Sequence, residues 1–96
     1  MNPDQQRIAI AEACGWSLDY INHHAMYYVP SKDLHIGDPL NDLNAMAAAE
    51  SIIIKAGAQT IRLYEDALQK FVANIVFATA AQRAEAFLRT LNLWKP

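Results

Sequence analysis

The chain has 96 residues, 53% of them hydrophobic and 19% charged, with a net charge of −2, a length that fits one domain over residues 1–96 with a modest core. Eight Lys and Arg lie scattered among ten Asp and Glu, so the clustered basic footprint of a nucleic-acid binder is missing, and no apolar run approaches the roughly 20 residues that span a bilayer. A lone cysteine, Cys14, leaves no internal disulfide, which fits a reducing cytoplasm, as does a start without the basic and long apolar regions of a signal peptide.

In chain order, Asn2 ahead of Pro3, with Gln5 three residues on, reads as an N-cap, a first-turn proline and a capping box, and Gly15 as the stop. A first helix is predicted from Pro3 to Cys14. Between Trp16 and Val29 the helical period gives way to gathered aromatics on either side of the polar Asn22, His23 and His24, which predicts two short strands joined by a turn. From Pro30 to Gly37 a loop is expected, with Leu34 to Ile36 able to form a strand end.

Asp38 followed by Pro39 repeats the helix-start grammar, since a carboxylate there can accept free backbone N–H groups and suits the positive end of the helix dipole. A second helix is expected from that point to about Lys55, ended by Gly57, with Leu40, Leu43, Ala47 and Ile54 as its core stripe, widened by Met46 and Ile53. The β-branched Ile52 to Ile54 leaves a strand open there. Ile61, Tyr64, Leu68 and Phe71 define a third helix from about Gln59 to Val72. The short β-rich run Asn74 to Thr79 reads as a third strand, and Thr79 with Gln82 is a capping box for a fourth helix, whose stripe is Ala80, Ala84, Phe87, Leu88 and Leu91. The fold class expected is α+β, a small α/β/α sandwich of about four helices and a short three-stranded sheet.

Two stretches, LNDLNAMAAAE from Leu40 and ATAAQRAEAFLRTLNLW from Ala78, together with IAEACGW near the start, resemble the phage ABA sandwich domain family, small proteins of tailed phages and prophages. The resemblance covers roughly the first fifteen residues, the second helix and the C-terminal twenty, and the last segment is the most specific. It implies a layered α/β/α domain in an infected or lysogenic bacterial cell and brings no established activity. Ala47 stands where the family pattern has a histidine, which puts in doubt any activity resting on that group, and Tyr20 to Gly37 is particular to this chain.

Chemistry-bearing residues are few. His23, His24, Asp33 and His35 supply metal-binding groups without metal-site spacing, because adjacent strand residues point to opposite faces. Asp38 and Asp42, at i and i+4 and followed by Glu50, could approach a divalent cation, although acids at a helix start are also what its dipole favours. Cys14 at the end of an apolar helix reads as a small buried hydrophobe rather than a nucleophile. Glu85 and Arg89 form an i, i+4 surface pair.

Recognition chemistry is richest in the aromatics, Tyr20, Tyr27 and Tyr28 with Trp16 and Trp94, and strand alternation sends one of Tyr27 and Tyr28 into the core and the other to the surface. Tyr20, His23, His24, Tyr27, Tyr28, Asn41, Asn44 and Arg83 are therefore the candidate ligand- or partner-binding residues, with no catalytic residue, metal or cofactor assigned. The function expected is non-catalytic binding of a host protein or small metabolite. A metal-dependent hydrolase built around His23, His24, Asp38 and Asp42, or a minor structural subunit, is the alternative. The apolar composition also predicts a homo-oligomer, a dimer first, meeting through the small face Ala45, Ala48 and Ala49 of the second helix or through Tyr20 to Val29.

Overall fold

A computed structural model describes all 96 residues, Met1–Pro96. Four helices and a three-stranded antiparallel sheet make a small α+β fold: α1 Pro3–Cys14, β1 Ser17–Ile21, β2 His24–Val29, β3 Leu34–Ile36, α2 Leu43–Ala56, α3 Ala58–Gln69 and α4 Ala80–Thr90. No helix is long and apolar enough to cross a membrane.

Local chemistry sets these bounds. In α1 the Asn2 carboxamide oxygen accepts from the Gln5 N–H while the Gln5 side chain accepts from the Asn2 N–H, and Gly15 closes the helix with a left-handed φ of 71°. The same reciprocal cap, between Thr79 and Gln82, starts α4. Leu34–Ile36 becomes a strand because it runs back along the edge of β2 opposite β1, where Tyr27 to Val29 are its partners.

The core is one cluster. α4 packs on α1, α2 and α3, and its Ala84, Phe87 and Leu88 meet Ile10, Met46, Ile53 and Leu68, all fully buried. Truncating Phe87 to Ala in such a site costs about 3–5 kcal/mol. α1 also carries β1, and Tyr27 and Val29 turn the inner sheet face toward this core, where the Tyr27 ring lies 6.3 Å from that of Trp16.

Four expectations are corrected. Asn74 to Thr79 is not a strand but a 3₁₀ turn over Ile75–Phe77. The Asn74 side chain accepts from the Val76 N–H, and the Arg83 guanidinium donates to the Ile75 and Ala78 carbonyls, so acceptors that a strand pairing would use are taken. Second, α2 starts at Leu43, not at Pro39. Asp38 closes a turn, with its carboxylate accepting from the Leu40 N–H and its carbonyl from those of Asn41 and Asp42, and Asp42 is the N-cap, accepting from the Asn44 N–H. Third, the apolar stripe is turned: Leu40, Met46 and Ile53 are buried as expected, but Ala45 and Ala49 are buried beside them while Leu43, Ala47 and Ile54 lie exposed. The small face assigned to a dimer contact is thus mostly core, because Ala45 and Ala49 let α2 approach its neighbours closely. Fourth, α3 ends three residues short of Val72, leaving Phe71 partly exposed.

Candidate functional site

The strands present two faces of different chemistry. Register puts Leu18, Tyr20, Ala25, Tyr27 and Ile36 on the inner face and Asp19, His24, Met26, Tyr28 and His35 on the outer one. On the outer face the His35 Nε2 lies 2.9 Å from the Asp19 carboxylate. The Tyr28 hydroxyl donates to Asp33 at 2.6 Å, which raises the phenol pKa, and the Tyr28 and His35 rings stand 5.2 Å apart. Asp19, His35, Tyr28 and Asp33 thus partner one another, and that network fixes the orientation of the Tyr28 and His35 rings.

The hairpin turn is made by Asn22 and His23, both at positive φ, 52° and 66°, the pattern of the tight turn whose twist matches the strands. Asn tolerates that conformation and His does so at a cost. Ile21 is exposed on the outer face opposite His24, while beyond the helices the inner face continues outward, with Tyr20 73% exposed and Leu18 also exposed. Beneath it, Arg7 of α1 joins two carboxylates, Asp4 at 2.9 Å and Asp38 at 2.8 Å. Burial raises the Asp38 pKa, but the Arg7 guanidinium, the Leu40 N–H and the Asn41 amide outweigh that and hold it below the usual carboxylate range. Leu18, Tyr20, Ala25 and Tyr27 close a shallow groove of about 300 Å³ over Asp4, Arg7 and Asp38.

A second polar cluster ties the helices together. The Arg83 guanidinium reaches the Glu50 carboxylate at 3.1 Å, and the Tyr64 hydroxyl donates to the same oxygen at 2.5 Å. Burial and that carboxylate push the Tyr64 pKa far up, so the phenol stays a donor. This linkage of α2, α3 and α4 floors a groove that Ala47, Ile54, Ile61 and Ile75 also line.

The candidate residues therefore separate. Tyr27 is core and Tyr28 is surface, as alternation requires, while Tyr20, His23 and His24 are exposed along the hairpin. Asn41 donates its side-chain amide to Asp38 at 2.8 Å, Asn44 is exposed beside the α2 cap, and Arg83 serves the helix cluster rather than an open surface. His23, His24, Asp38 and Asp42 do not come together, and no three His, Cys, Asp or Glu side chains converge as a metal site. Burial pushes the half-buried Cys14 thiol up to about 12. The sequence reading missed Arg7, Asp19 and Leu18 as site residues; only the strand register joins Asp19 to His35, and nothing local to α1 points Arg7 at Asp38. No family model matches this chain, and no curated protein or solved structure matches it either.

Proposed function

We propose that this chain is a non-catalytic accessory protein of a phage or prophage that works by binding a host protein in the bacterial cytoplasm. The observation that carries the binding reading is the hairpin: Leu18, Tyr20 and Ile21 hold apolar and aromatic surface in solvent, on strands whose outer-face rings are fixed by the Asp19, His35, Tyr28 and Asp33 network. Exposed aromatic side chains on a framed sheet are what protein interfaces use as anchors. The phage origin is supported by the segments around Leu40 and Ala78 and their resemblance to the ABA sandwich family. A small metabolite is the less favoured ligand, since the grooves are shallow and open where metabolite sites enclose most of the ligand.

A homodimer belongs to the same proposal. The exposed α2 stripe Leu43, Ala47 and Ile54 borders the groove lined by Ile61 and Ile75, and Val76 and Phe77, each more than 70% exposed, follow at once. Large residues flank a small one along that stripe, which suits a close two-fold crossing of α2 with its copy.

The test is capture of a binding protein from a bacterial lysate on the immobilised chain, repeated with Tyr20→Ala. A protein retained by the parent and lost by the variant, then bound again when purified, is the expected result. Turnover of a phosphate or ester substrate that depends on an added divalent metal and on His23 would overturn the reading in favour of a hydrolase.

A further inference from the structure

We propose that the free edge of β1 takes an extended peptide segment of the partner as an added strand, and that the segment carries a Lys or Arg opposite Leu18 or Tyr20. The inference rests on the binding reading above and names the chemistry of what is bound.

Strand register supplies the first argument. Ile21 and His24 flank the two-residue turn, so they form a hydrogen-bonded pair, and alternation makes Asp19 with Met26 and Ser17 with Tyr28 the next such pairs. The N–H and C=O groups of Leu18 and Tyr20 are thereby turned away from β2, and no loop or side chain of the molecule bonds them. By the same alternation the other edge, β3, frees only the backbone of His35. All five residues of β1 are exposed, and none is the Pro or Lys with which natural edges discourage pairing.

Charge supplies the second. Residues of an added strand that pair with Leu18 and Tyr20 project to the same face as those two side chains, where the groove holds Asp4 and Asp38 against a single Arg7. Asp19 adds a third carboxylate on the outer face. An aromatic wall beside excess carboxylate suits an ammonium or guanidinium group. A second copy is disfavoured at this edge, since pairing Leu18 with Tyr20 of the copy sets Asp19 directly against its own equivalent.

Selection from a random heptapeptide display library against the full chain tests this. Enriched sequences should alternate β-branched residues with Lys or Arg, and a selected peptide should shift the Leu18 and Tyr20 amide resonances and slow their hydrogen exchange. Leu18→Pro leaves the β1–β2 ladder intact, because the lost N–H points outward, and should weaken the peptide at least about tenfold. Asp4→Asn should weaken it about threefold. Should Leu18→Pro prove unfolded, amide exchange on the unaltered chain still decides. No enriched pool, an acidic pool, or shifts confined to other residues overturns strand addition. A lysate partner that needs Tyr20 yet is indifferent to Leu18→Pro also overturns it while leaving the binding function standing, whereas loss of any Tyr20-dependent partner removes the binding function itself.

Discussion

The helical part and the strands handle the same polar chemistry in opposite ways. Between α2, α3 and α4 the Arg83, Glu50 and Tyr64 groups are largely removed from water and bind one another and the carbonyls of the 3₁₀ turn; on the sheet, Asp19, His35, Tyr28 and Asp33 make equally short contacts in the open. Low dielectric strengthens the first set and makes each member dependent on the rest, while water screens the second and leaves its rings free to meet something else. One network holds the fold and the other displays a surface.

The difference is broken most severely at Arg83. Arg83→Met leaves the Glu50 carboxylate without its cation and frees the Ile75 and Ala78 carbonyls, and should cost about 3 kcal/mol by urea unfolding. His35→Gln on the sheet should change the same midpoint little, since exposed ion pairs contribute at most about 1 kcal/mol. A comparable loss at both sites would abolish the distinction.

Gly57→Ala comes next, at about 2 kcal/mol. Gly57 joins α2 to α3 with φ 108° and ψ 176°, a region only glycine occupies without strain. No atom crowds a side chain there, so the loss would be entirely backbone strain, and an unchanged melting temperature would show that the α2–α3 joint relaxes.

Asp38 links the two regions through Arg7, and its effect is smaller and depends on pH. Because its folded pKa is depressed, its stabilisation is present above its unfolded value near pH 4 and is lost as pH falls through the folded value. Asp38→Ala should therefore cost about 1–2 kcal/mol at pH 7 and progressively less below pH 4. Asp38→Asn should keep the Leu40 N–H acceptor and lose the acid dependence. A constant difference from pH 7 to pH 2 would contradict the role of the charge.

What the sequence discloses follows from how local each cause is. Both capping boxes, the Gly15 stop and the two strands around Asn22 and His23 are written within a few residues, and all are present. The run Ile75 to Phe77 has strand composition, but its backbone acceptors are claimed by Arg83, which acts from the next helix. Along α2, Leu43 and Ile54 out-score Ala45 and Ala49 in hydrophobicity, whereas close packing of helices selects the alanines beside Met46 and Ile53. Of the site, strand alternation foretells that one of Tyr27 and Tyr28 is exposed without saying which, and the polar Asn22 to His24 between the strands reads as a solvated turn. The pairing of Asp19 with His35 and of Arg7 with Asp38 was not legible, since each spans separate elements.

The smallest effect has the opposite sign and bears most directly on the sheet. His23 holds φ 66° in the hairpin turn, where a left-handed L-residue costs about 1–2 kcal/mol and glycine costs about 0.5–1 kcal/mol through its greater freedom when unfolded. His23→Gly should thus stabilise the protein by about half a kcal/mol, the Asn-Gly pair being the favoured sequence for such a turn. The His23 side chain is exposed at the tip of the hairpin, beside the surface assigned to binding. The two quantities separate cleanly: a raised urea midpoint together with weakened capture of the Tyr20-dependent partner would make His23 part of the contact surface. A raised midpoint with undiminished capture would restrict that surface to Leu18, Tyr20 and the β1 edge, and a lowered midpoint would mean that the imidazole itself braces the turn.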